Sequence, residues 1–388
     1  MSCTSAVLSS SSLWRRTILS KNRLFRQPSH VMMRGFSTGS NSAATKKAKV
    51  ALIGSGRMGQ IRASILMANP RFDFVGVVDV NQNGATELAH KVGVNAYTEL
   101  HEMLEDQNGQ LDGIVMCSPT HTHHDVIQQV AHHNQNNGVD AQVAGIFTEK
   151  PVGESAAQID SLFDMAKTAN LHLCCGFQRR FDPSYVAAAQ AIANQEIGTP
   201  VVANLFFADH PIPPREFLLQ GGDIFLDLCA HDVDFITNAL QDDIISVYAT
   251  GTSMDKELQE AGVHDNAIMV MNFSNGAVAT LFMSRCASYG YDQRCEVFGN
   301  NGGLLSIQNQ PETTTVLSNA QGIHHSRLLH SFPQRFAQAF ALEIDAFYDT
   351  VFQLDEWPIT GEQCVKVQRV ADAARESCRE GRLVSLEY

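Results

Sequence analysis

Two short motifs in this chain carry residue types suited to proton transfer on an alcohol. Lys150 lies in the motif Glu149-Lys150-Pro151, directly after the apolar run Ala144–Phe147. An ammonium group at the end of a strand can donate to a hydroxyl and stabilise a developing alkoxide. Asp227 and His231 are four residues apart in a predicted helix, so they share one face. There a carboxylate can orient an imidazole that takes a proton near neutral pH.

Each of these motifs also has an ordinary structural interpretation when it is taken alone. A lysine at a strand end is usually a surface residue. An Asp–His pair on a helix often only caps the helix or faces the solvent. The two motifs therefore support a catalytic role only if other parts of the chain place a redox cofactor beside them.

A glycine-rich turn predicts such a cofactor site. The apolar run Val50–Ile53 leads into Gly54-x-Gly56-x-x-Gly59, and a helical pattern follows. The first glycine permits a tight turn, the second lets the backbone approach a pyrophosphate, and the third lets the helix pack closely against the strand. The phosphates would then lie at the positive end of the helix dipole.

The residue that ends the next apolar run, Phe74–Val78, indicates which nicotinamide cofactor binds. Asp79 lies there, 20 residues beyond Gly59. A carboxylate in this position accepts hydrogen bonds from ribose hydroxyls and repels a 2′-phosphate. Since residues 80–83 include no Arg or Lys, NAD is favoured over NADP.

The elements that must position these residues follow two patterns. From Lys49 to about Cys175 apolar runs alternate with helical segments, as a doubly wound parallel sheet requires. After Gly176 strand-like runs follow one another, which indicates an α+β domain on a large, mostly antiparallel open sheet. The predicted strands of the first part are Val50–Ile53, Phe74–Val78, Gly113–Cys117, Ala144–Phe147 and Leu171–Cys174. We expect a Rossmann domain at 49–175 and a substrate and oligomerisation domain at 176–388, whose C-terminal helix can pack back on the Rossmann domain.

The loop after the strand Gly113–Cys117 is rich in histidine. It reads Ser118-Pro119-Thr120-His121-Thr122-His123-His124. Zinc sites need a further set of ligands, and none is spaced for it. We therefore expect no metal, and we expect this loop to line the nicotinamide side of the cofactor site.

Arg179 and Arg180 open the second domain directly after a strand. They either hold a polyhydroxylated or anionic ligand or brace the domain junction by salt bridges, and bracing is favoured for either arginine alone. Tyr289 is a further candidate for the substrate pocket.

Composition excludes several classes of protein. The net charge is −13 and no basic stripe lies in the body of the chain, which argues against nucleic acid. No apolar run approaches the roughly 18 residues of a membrane span. The nine cysteines include no C-x-x-C pair, so they predict buried thiols in a reducing compartment rather than a disulfide or zinc framework.

The first 48 residues differ from the rest, because they hold eight basic residues and no acidic one. This composition is typical of an organellar transit peptide, and Arg34-Gly35-Phe36 resembles a mitochondrial processing site. We therefore expect residues 1–48 to be a transit peptide or disordered, and the protein to be mitochondrial. A disordered basic tail or a wrongly assigned start codon, with a cytoplasmic location, is the alternative.

Six segments together resemble the Gfo/Idh/MocA oxidoreductases, and within them the inositol 2-dehydrogenases, over roughly Lys49 to the C-terminus. The segments that carry the resemblance are Gly54–Gly59, Ser118–His123, Glu149–Pro151, Gly176–Tyr185, Gly222–Asp232 and Tyr289–Arg294. Glu-Lys-Pro and Asp-x-x-x-His are the catalytic motifs of that family.

The resemblance implies a role for each predicted site residue. His231 takes the proton of a ring hydroxyl, Asp227 orients the substrate and tunes His231, and Lys150 stabilises the alkoxide while a hydride passes to C4 of NAD. The predicted cofactor contacts are Gly54, Gly56, Arg57, Met58, Gly59, Asp79, Ser118, Pro119, Thr120, His123, Glu149 and Lys150. The predicted substrate contacts are Lys150, Arg180, Asp227, His231 and Tyr289.

The substrate implied by the resemblance is a cyclic polyol, with myo-inositol oxidised to 2-keto-inositol. A sugar or aldose dehydrogenase on the same scaffold is one alternative. A catalytically silent NAD-binding regulator is another, and the joint presence of Lys150, Asp227 and His231 argues against it. The resemblance also implies a homodimer or homotetramer that assembles through the sheet of the second domain.

Overall fold

The computed structural model describes residues 46–388 except 108–109, 139–140 and 221, so residues 1–45 of the expected leader lie outside the described part. Its first half is built on a six-stranded parallel sheet in the order β3-β2-β1-β4-β5-β6. The strands are β1 (Ala48–Ile53), β2 (Phe72–Val78), β3 (Asn95–Tyr97), β4 (Gly113–Met116), β5 (Gly145–Glu149) and β6 (His172–Gly176). This order reverses between β1 and β4, so a crevice opens there at the carboxyl ends of the strands.

Helices cover both faces of this sheet, as parallel strands buried on both sides require. They are α1 (Arg57–Ala68), α2 (Gln82–Val92), α3 (Leu100–Asp106), α4 (His123–Asn136) and α5 (Ala156–Thr168). Local signals set their ends: the Asn81 side chain accepts from the Gly84 amide at the start of α2, and Gly93 ends that helix at φ +75°.

A seven-stranded sheet forms the second half, in the order β12-β11-β7-β10-β9-β8-β15. Its strands are β7 (Pro200–Ala208), β8 (Ile244–Thr252), β9 (Asn266–Phe273), β10 (Val278–Ser284), β11 (Asp292–Gly299), β12 (Leu304–Ile307) and β15 (Val384–Ser385). Only β7 and β10 pair in parallel, so this sheet is mostly antiparallel. The predicted fold class is confirmed.

The remaining elements complete the second half. They are α6 (Pro183–Ala193), α7 (Arg215–Gln220), α8 (Ile224–Asp227), α9 (Cys229–Leu240), α10 (Lys256–Glu260), the hairpin β13 (Val316–Asn319) and β14 (Gly322–His325), α11 (Phe332–Arg335), α12 (Ala337–Val351) and α13 (Gly361–Glu380). Helix α12 packs on the first sheet, where the Phe347 ring meets Phe147 of β5. Among the described residues no helix is both long and apolar enough to cross a membrane.

Two local features differ from the expectations. Strand β3 was not predicted, because Asn95-Ala96-Tyr97 is a short edge strand with little burial. The helix predicted around Asp227 and His231 is interrupted at Leu228, between α8 and α9.

Candidate active site

The glycine-rich turn between β1 and α1 has the geometry of a phosphate cradle. Gly54 has φ +98°, and a Cβ there would lie 2.7 Å from the backbone of Cys117. A Cβ on Gly59 would lie 1.9 Å from the Gly54 carbonyl oxygen, whereas a Cβ on Gly56 would meet no atom within 4 Å. Two glycines are therefore required by the close packing of β1, α1 and β4, and the third leaves open space at the start of α1 where a backbone can approach phosphate.

Asp79 closes the side of this cradle. The Ser55 amide and hydroxyl donate to Asp79 Oδ2 at 2.6 and 2.7 Å, and the Asn81 amide donates to Oδ1 at 2.9 Å. Although partial burial opposes it, these hydrogen bonds lower the pKa of the Asp79 carboxyl. An ionised carboxylate at the end of β2 is suited to ribose hydroxyls and repels a 2′-phosphate, so the residues present fit NAD.

Lys150 and Asp227 meet at the carboxyl end of β5. The Lys150 ammonium donates to Asp227 Oδ1 and to the Asp227 carbonyl oxygen, each at 2.7 Å. Asp227 Oδ2 accepts from Arg285 Nη1, also at 2.7 Å. Burial would raise the pKa of Asp227, but the two cations hold it well below its usual range. The carboxylate is therefore ionised and has a cation on each oxygen.

His231 completes the group from the first turn of α9. Its Nδ1 is buried and has no hydrogen-bond partner, and its ring packs edge-on against Phe177. Burial, Lys150 and Arg179 lower the pKa of His231 well below its usual value, and the charge of Asp227 opposes them only in part. The imidazole is therefore neutral at pH 7 and able to accept a proton.

The contact between Asp227 and His231 differs from the expectation. Because the helix is interrupted at Leu228 and both carboxylate oxygens are occupied by Lys150 and Arg285, no hydrogen bond joins Asp227 to His231. Asp227 acts on the imidazole only through its charge. Sequence reasoning missed Arg285 altogether, since nothing in its local sequence marks it as a partner of Asp227, 58 residues earlier in the chain.

The histidine of the Ser118 loop has a supporting position. His123 Nε2 lies 3.0 Å from the Ser118 carbonyl oxygen and Nδ1 lies 3.1 Å from the Val152 carbonyl oxygen, with the side chain buried. Both ring nitrogens thus lie against main-chain carbonyl oxygens of two different loops, and the predicted contact of His123 with the cofactor stays a prediction. Among the described residues no group of three or more His, Cys, Asp or Glu side chains is placed to hold a metal ion.

A buried ion cluster supports Glu149. Arg62 of α1 donates through Nε to Glu149 at 2.7 Å and through Nη2 to Glu343 of α12 at 2.5 Å. Its guanidinium lies between the rings of Phe147 and Phe340, at 4.5 and 4.7 Å from their centroids. Burial, with help from Glu149, raises the pKa of Glu343 against the opposing charge of Arg62. The cluster ties α1 and α12 to the turn that carries Lys150.

Two predicted substrate contacts lie elsewhere. Arg180 makes a bidentate ion pair with Asp234, with both hydrogen bonds at 2.8 Å, and also donates to Asn238. These contacts agree with the favoured alternative, in which Arg180 braces the domain junction by salt bridges. Tyr289 is 51% exposed and donates its hydroxyl to Asp292 at 2.8 Å. The structure gives neither residue a contact with Lys150, Asp227 or His231, and the substrate contacts of Arg180 and Tyr289 stay predictions.

The remaining predicted cofactor contacts surround the cradle. Arg57 begins helix α1 and donates to the Ser331 hydroxyl at 3.1 Å, with its guanidinium 4.4 Å from the centre of the Phe332 ring. Met58, Ser118, Pro119 and Thr120 lie in or next to the turns that follow β1 and β4. Their contacts with NAD stay predictions.

Comparisons with known proteins agree with this geometry. Residues 48–177 match the family described as "Oxidoreductase family, NAD-binding Rossmann fold", and residues 185–305 match "GFO/IDH/MocA C-terminal domain". The chain is 33% identical to the myo-inositol 2-dehydrogenase of Thermotoga maritima, over 87% of this chain and 98% of that protein. It is 30% identical to the inositol 2-dehydrogenase of Rhizobium meliloti, over 86% and 98%.

A solved structure shows the same similarity. The scyllo-inositol dehydrogenase of Lactobacillus casei, with bound NAD(H) and scyllo-inositol, superposes with a TM-score of 0.78 at 26% identity. The match covers 88% of this chain and 99% of that one.

The comparisons overturn the expected mitochondrial location. The curated relatives come from bacteria such as Thermotoga maritima, Rhizobium meliloti and Bacillus subtilis, which contain no mitochondria. The prediction of a mitochondrial protein is therefore wrong, nothing supports the transit peptide on which it rested, and the cytoplasmic alternative fits these relatives.

Proposed function

We propose that this chain, which belongs to the Gfo/Idh/MocA family of NAD-dependent oxidoreductases, oxidises a ring hydroxyl of a cyclic polyol, with myo-inositol as substrate and 2-keto-inositol as product. One observation carries the proposal: Lys150, ionised Asp227 and neutral His231 lie together at the carboxyl end of β5, beside the glycine cradle. The inositol dehydrogenases of Thermotoga maritima and Rhizobium meliloti, similar over nearly their whole length, support the choice of substrate.

Each residue of the site has its own role in the reaction. NAD, when bound, accepts the hydride. The neutral imidazole of His231 takes the hydroxyl proton. Because Nδ1 is buried, we assign this step to Nε2. The Lys150 ammonium donates to the same oxygen and stabilises its developing negative charge. Asp227 fixes the position of that ammonium, and its pairing with Arg285 keeps it ionised.

We also propose the division of labour between the two halves. Residues 49–175 would bind NAD, and residues 176–388 would bind the polyol and carry the subunit contact. The outer face of the second sheet supports this, because it exposes apolar side chains. Val202, Phe298 and Leu304 are in register across β7, β11 and β12, and Tyr248 and Ile268 are exposed on the neighbouring strands β8 and β9. A homodimer or homotetramer would cover this face. Light scattering on the wild type and on a Tyr248→Asp variant measures the oligomeric state of each.

The substrate is tested by following NADH absorbance with the full chain. NAD and NADP are each supplied with myo-inositol, scyllo-inositol, glucose, xylose or no substrate. We expect turnover with NAD and myo-inositol. Turnover with an aldose alone would keep the chemistry and replace the substrate, and NAD binding without turnover on any of them would favour the regulator.

The roles of the residues are tested by Lys150→Met and His231→Asn. We expect each to lower kcat by about 100-fold or more with little change in NADH affinity. Lys167→Met and His132→Asn are matched controls, because both side chains are exposed on other helices. Wild-type turnover in both test variants would contradict the mechanism.

A further inference from the structure

Arg285 is a buried arginine that no motif marks and that touches the proposed centre directly. It lies just after Ser284, the last residue of β10, and is 1% exposed. Its Nη1 donates to Asp227 Oδ2 at 2.7 Å and its Nη2 donates to the Gly222 carbonyl oxygen at 2.8 Å. One guanidinium therefore links the Asp227 side chain to the loop that precedes α8.

We propose that Arg285 is a positioning residue for the reaction: it holds Asp227 against Lys150 and keeps the carboxylate away from His231. The inference rests on the proposed function, because it assigns a role within the same centre. It adds a residue from the second sheet to a site whose other members come from β5 and α8–α9.

The geometry around Asp227 favours this role. Asp227 is about a third exposed and follows only one turn of helix, so its own element does little to fix its side chain. Lys150 and Arg285 approach different carboxylate oxygens at equal distances, which sets both the position and the plane of the carboxylate. Without Arg285, Oδ2 would be free to turn toward another donor. His231 follows one turn later in the chain and has a buried Nδ1 with no partner.

The charges around Asp227 favour the same role. Lys150 must keep part of its charge for an alkoxide, but a lone Asp227 beside it would offset that charge. Arg285 supplies a second positive charge to the same carboxylate. Other charged groups face this centre: Arg179 lowers the pKa of His231, and Asp209, whose pKa is raised by burial, lies near both Arg285 and Asp227. Removing Arg285 therefore shifts the balance toward negative charge and makes His231 easier to protonate.

The two hydrogen bonds of this side chain require an arginine. The two bonds to Asp227 and Gly222 leave from separate nitrogens of one rigid plane. A lysine has the same charge but only one nitrogen, and it cannot reproduce both bonds in that geometry. The pair Arg285→Lys and Arg285→Gln thus separates the charge from the two-armed link.

The experiment compares Arg285→Lys and Arg285→Gln with wild type. Arg294→Gln is the control, because Arg294 is an arginine of the same sheet, in β11, with a 42% exposed side chain. We expect Arg285→Gln to lower kcat by about 100-fold with a smaller change in KM, as misplacement of a catalytic group does. Arg285→Lys should recover about tenfold of that loss, and Arg294→Gln should keep wild-type kcat.

A second readout needs no turnover. The His231 imidazole is titrated by NMR in protein labelled at histidine Cε1, with the His231→Asn spectrum for assignment. We expect its pKa to be higher in Arg285→Gln than in wild type, with Arg285→Lys close to wild type. A general loss of packing would not be repaired by lysine in this way. Folding of each variant is followed by thermal unfolding and NADH affinity.

The outcomes separate the two claims. Wild-type kcat and an unchanged His231 titration in folded Arg285→Gln would overturn the role of Arg285. If wild type turns over no polyol, the proposed function fails, and the His231 titration still decides the role of Arg285. If Arg285→Gln does not fold, Arg285→Lys decides: a lower kcat at wild-type stability supports the role, and wild-type kcat overturns it.

Discussion

Two Gly→Ala substitutions in the glycine-rich turn, each adding one methyl group, should separate the effect on cofactor binding from the effect on folding. At Gly56 an added Cβ meets no atom within 4 Å, and φ −67° with ψ −168° is extended backbone that alanine adopts freely. Gly56→Ala should therefore keep the free energy of unfolding within about 0.5 kcal/mol of wild type. At Gly59 the added Cβ lies 1.9 Å from the Gly54 carbonyl oxygen. Gly59→Ala must push α1 away from β1, which costs about 1–3 kcal/mol.

The cofactor responds differently to these two changes. The space beside Gly56 is the space that a pyrophosphate would use, so Gly56→Ala should raise the Kd for NADH at least about tenfold, or 1.4 kcal/mol. Thermal unfolding and NADH fluorescence titration measure the two effects on the same samples. Gly138→Ala is the matched control, because it also faces open space but follows helix α4. Wild-type NADH affinity in folded Gly56→Ala would refute the reasoning.

Four further predictions concern charge. Asp79→Ala should lower the preference for NAD over NADP, as the ratio of kcat/KM values, by roughly tenfold; an unchanged ratio would remove Asp79 from cofactor selection. Because the pKa of His231 is lowered from 6.5, kcat should be lost only as the pH falls well below 6.5, and a midpoint above 6.5 would contradict a neutral buried imidazole. The pKa of Glu343 is raised from 4.5 in the folded protein, so the wild type loses stability as the pH rises above 4.5. The Tm of Glu343→Gln minus the Tm of wild type should therefore grow between pH 5 and pH 8. A constant Tm difference would contradict the raised pKa of Glu343. Arg180→Lys should lower stability by about 1–3 kcal/mol with KM for the polyol nearly unchanged, whereas a raised KM at normal Tm would return Arg180 to the substrate site.

Much of the fold was predictable because its signals are local. The alternation of apolar runs and helical segments predicted five of the six parallel strands, and the structure places each within a few residues of its predicted position. Strand β3 escaped because its three residues, Asn95–Tyr97, carry no apolar pattern of their own. The break at Leu228 was not predicted, because the apolar residues from Ile224 to Leu240 keep helical spacing throughout.

Only those site residues that lie in short sequence motifs were predictable. Lys150 and Asp227 stand in short motifs at strand and helix ends, and the structure brings them together. Arg285 could not be found in this way, because its partner Asp227 lies 58 residues earlier in the chain and only the folded structure brings the two side chains together. The same holds for Arg62 and Glu343, which are 281 residues apart and share a buried ion pair. One signal was present: a charged residue inside an apolar helix pattern, as at Glu343, needs a partner.

We propose that the Lys150–Asp227–His231 centre oxidises a ring hydroxyl by direct hydride transfer to NAD. The most direct test supplies the full chain with NAD and myo-inositol deuterated at C2, and examines the reduced cofactor by mass spectrometry. We expect the deuterium to be recovered on the nicotinamide ring, and we expect kcat to fall on deuteration where hydride transfer limits the rate. Reduced cofactor formed without deuterium would contradict oxidation at that carbon, and no reduced cofactor at all would contradict the proposed function.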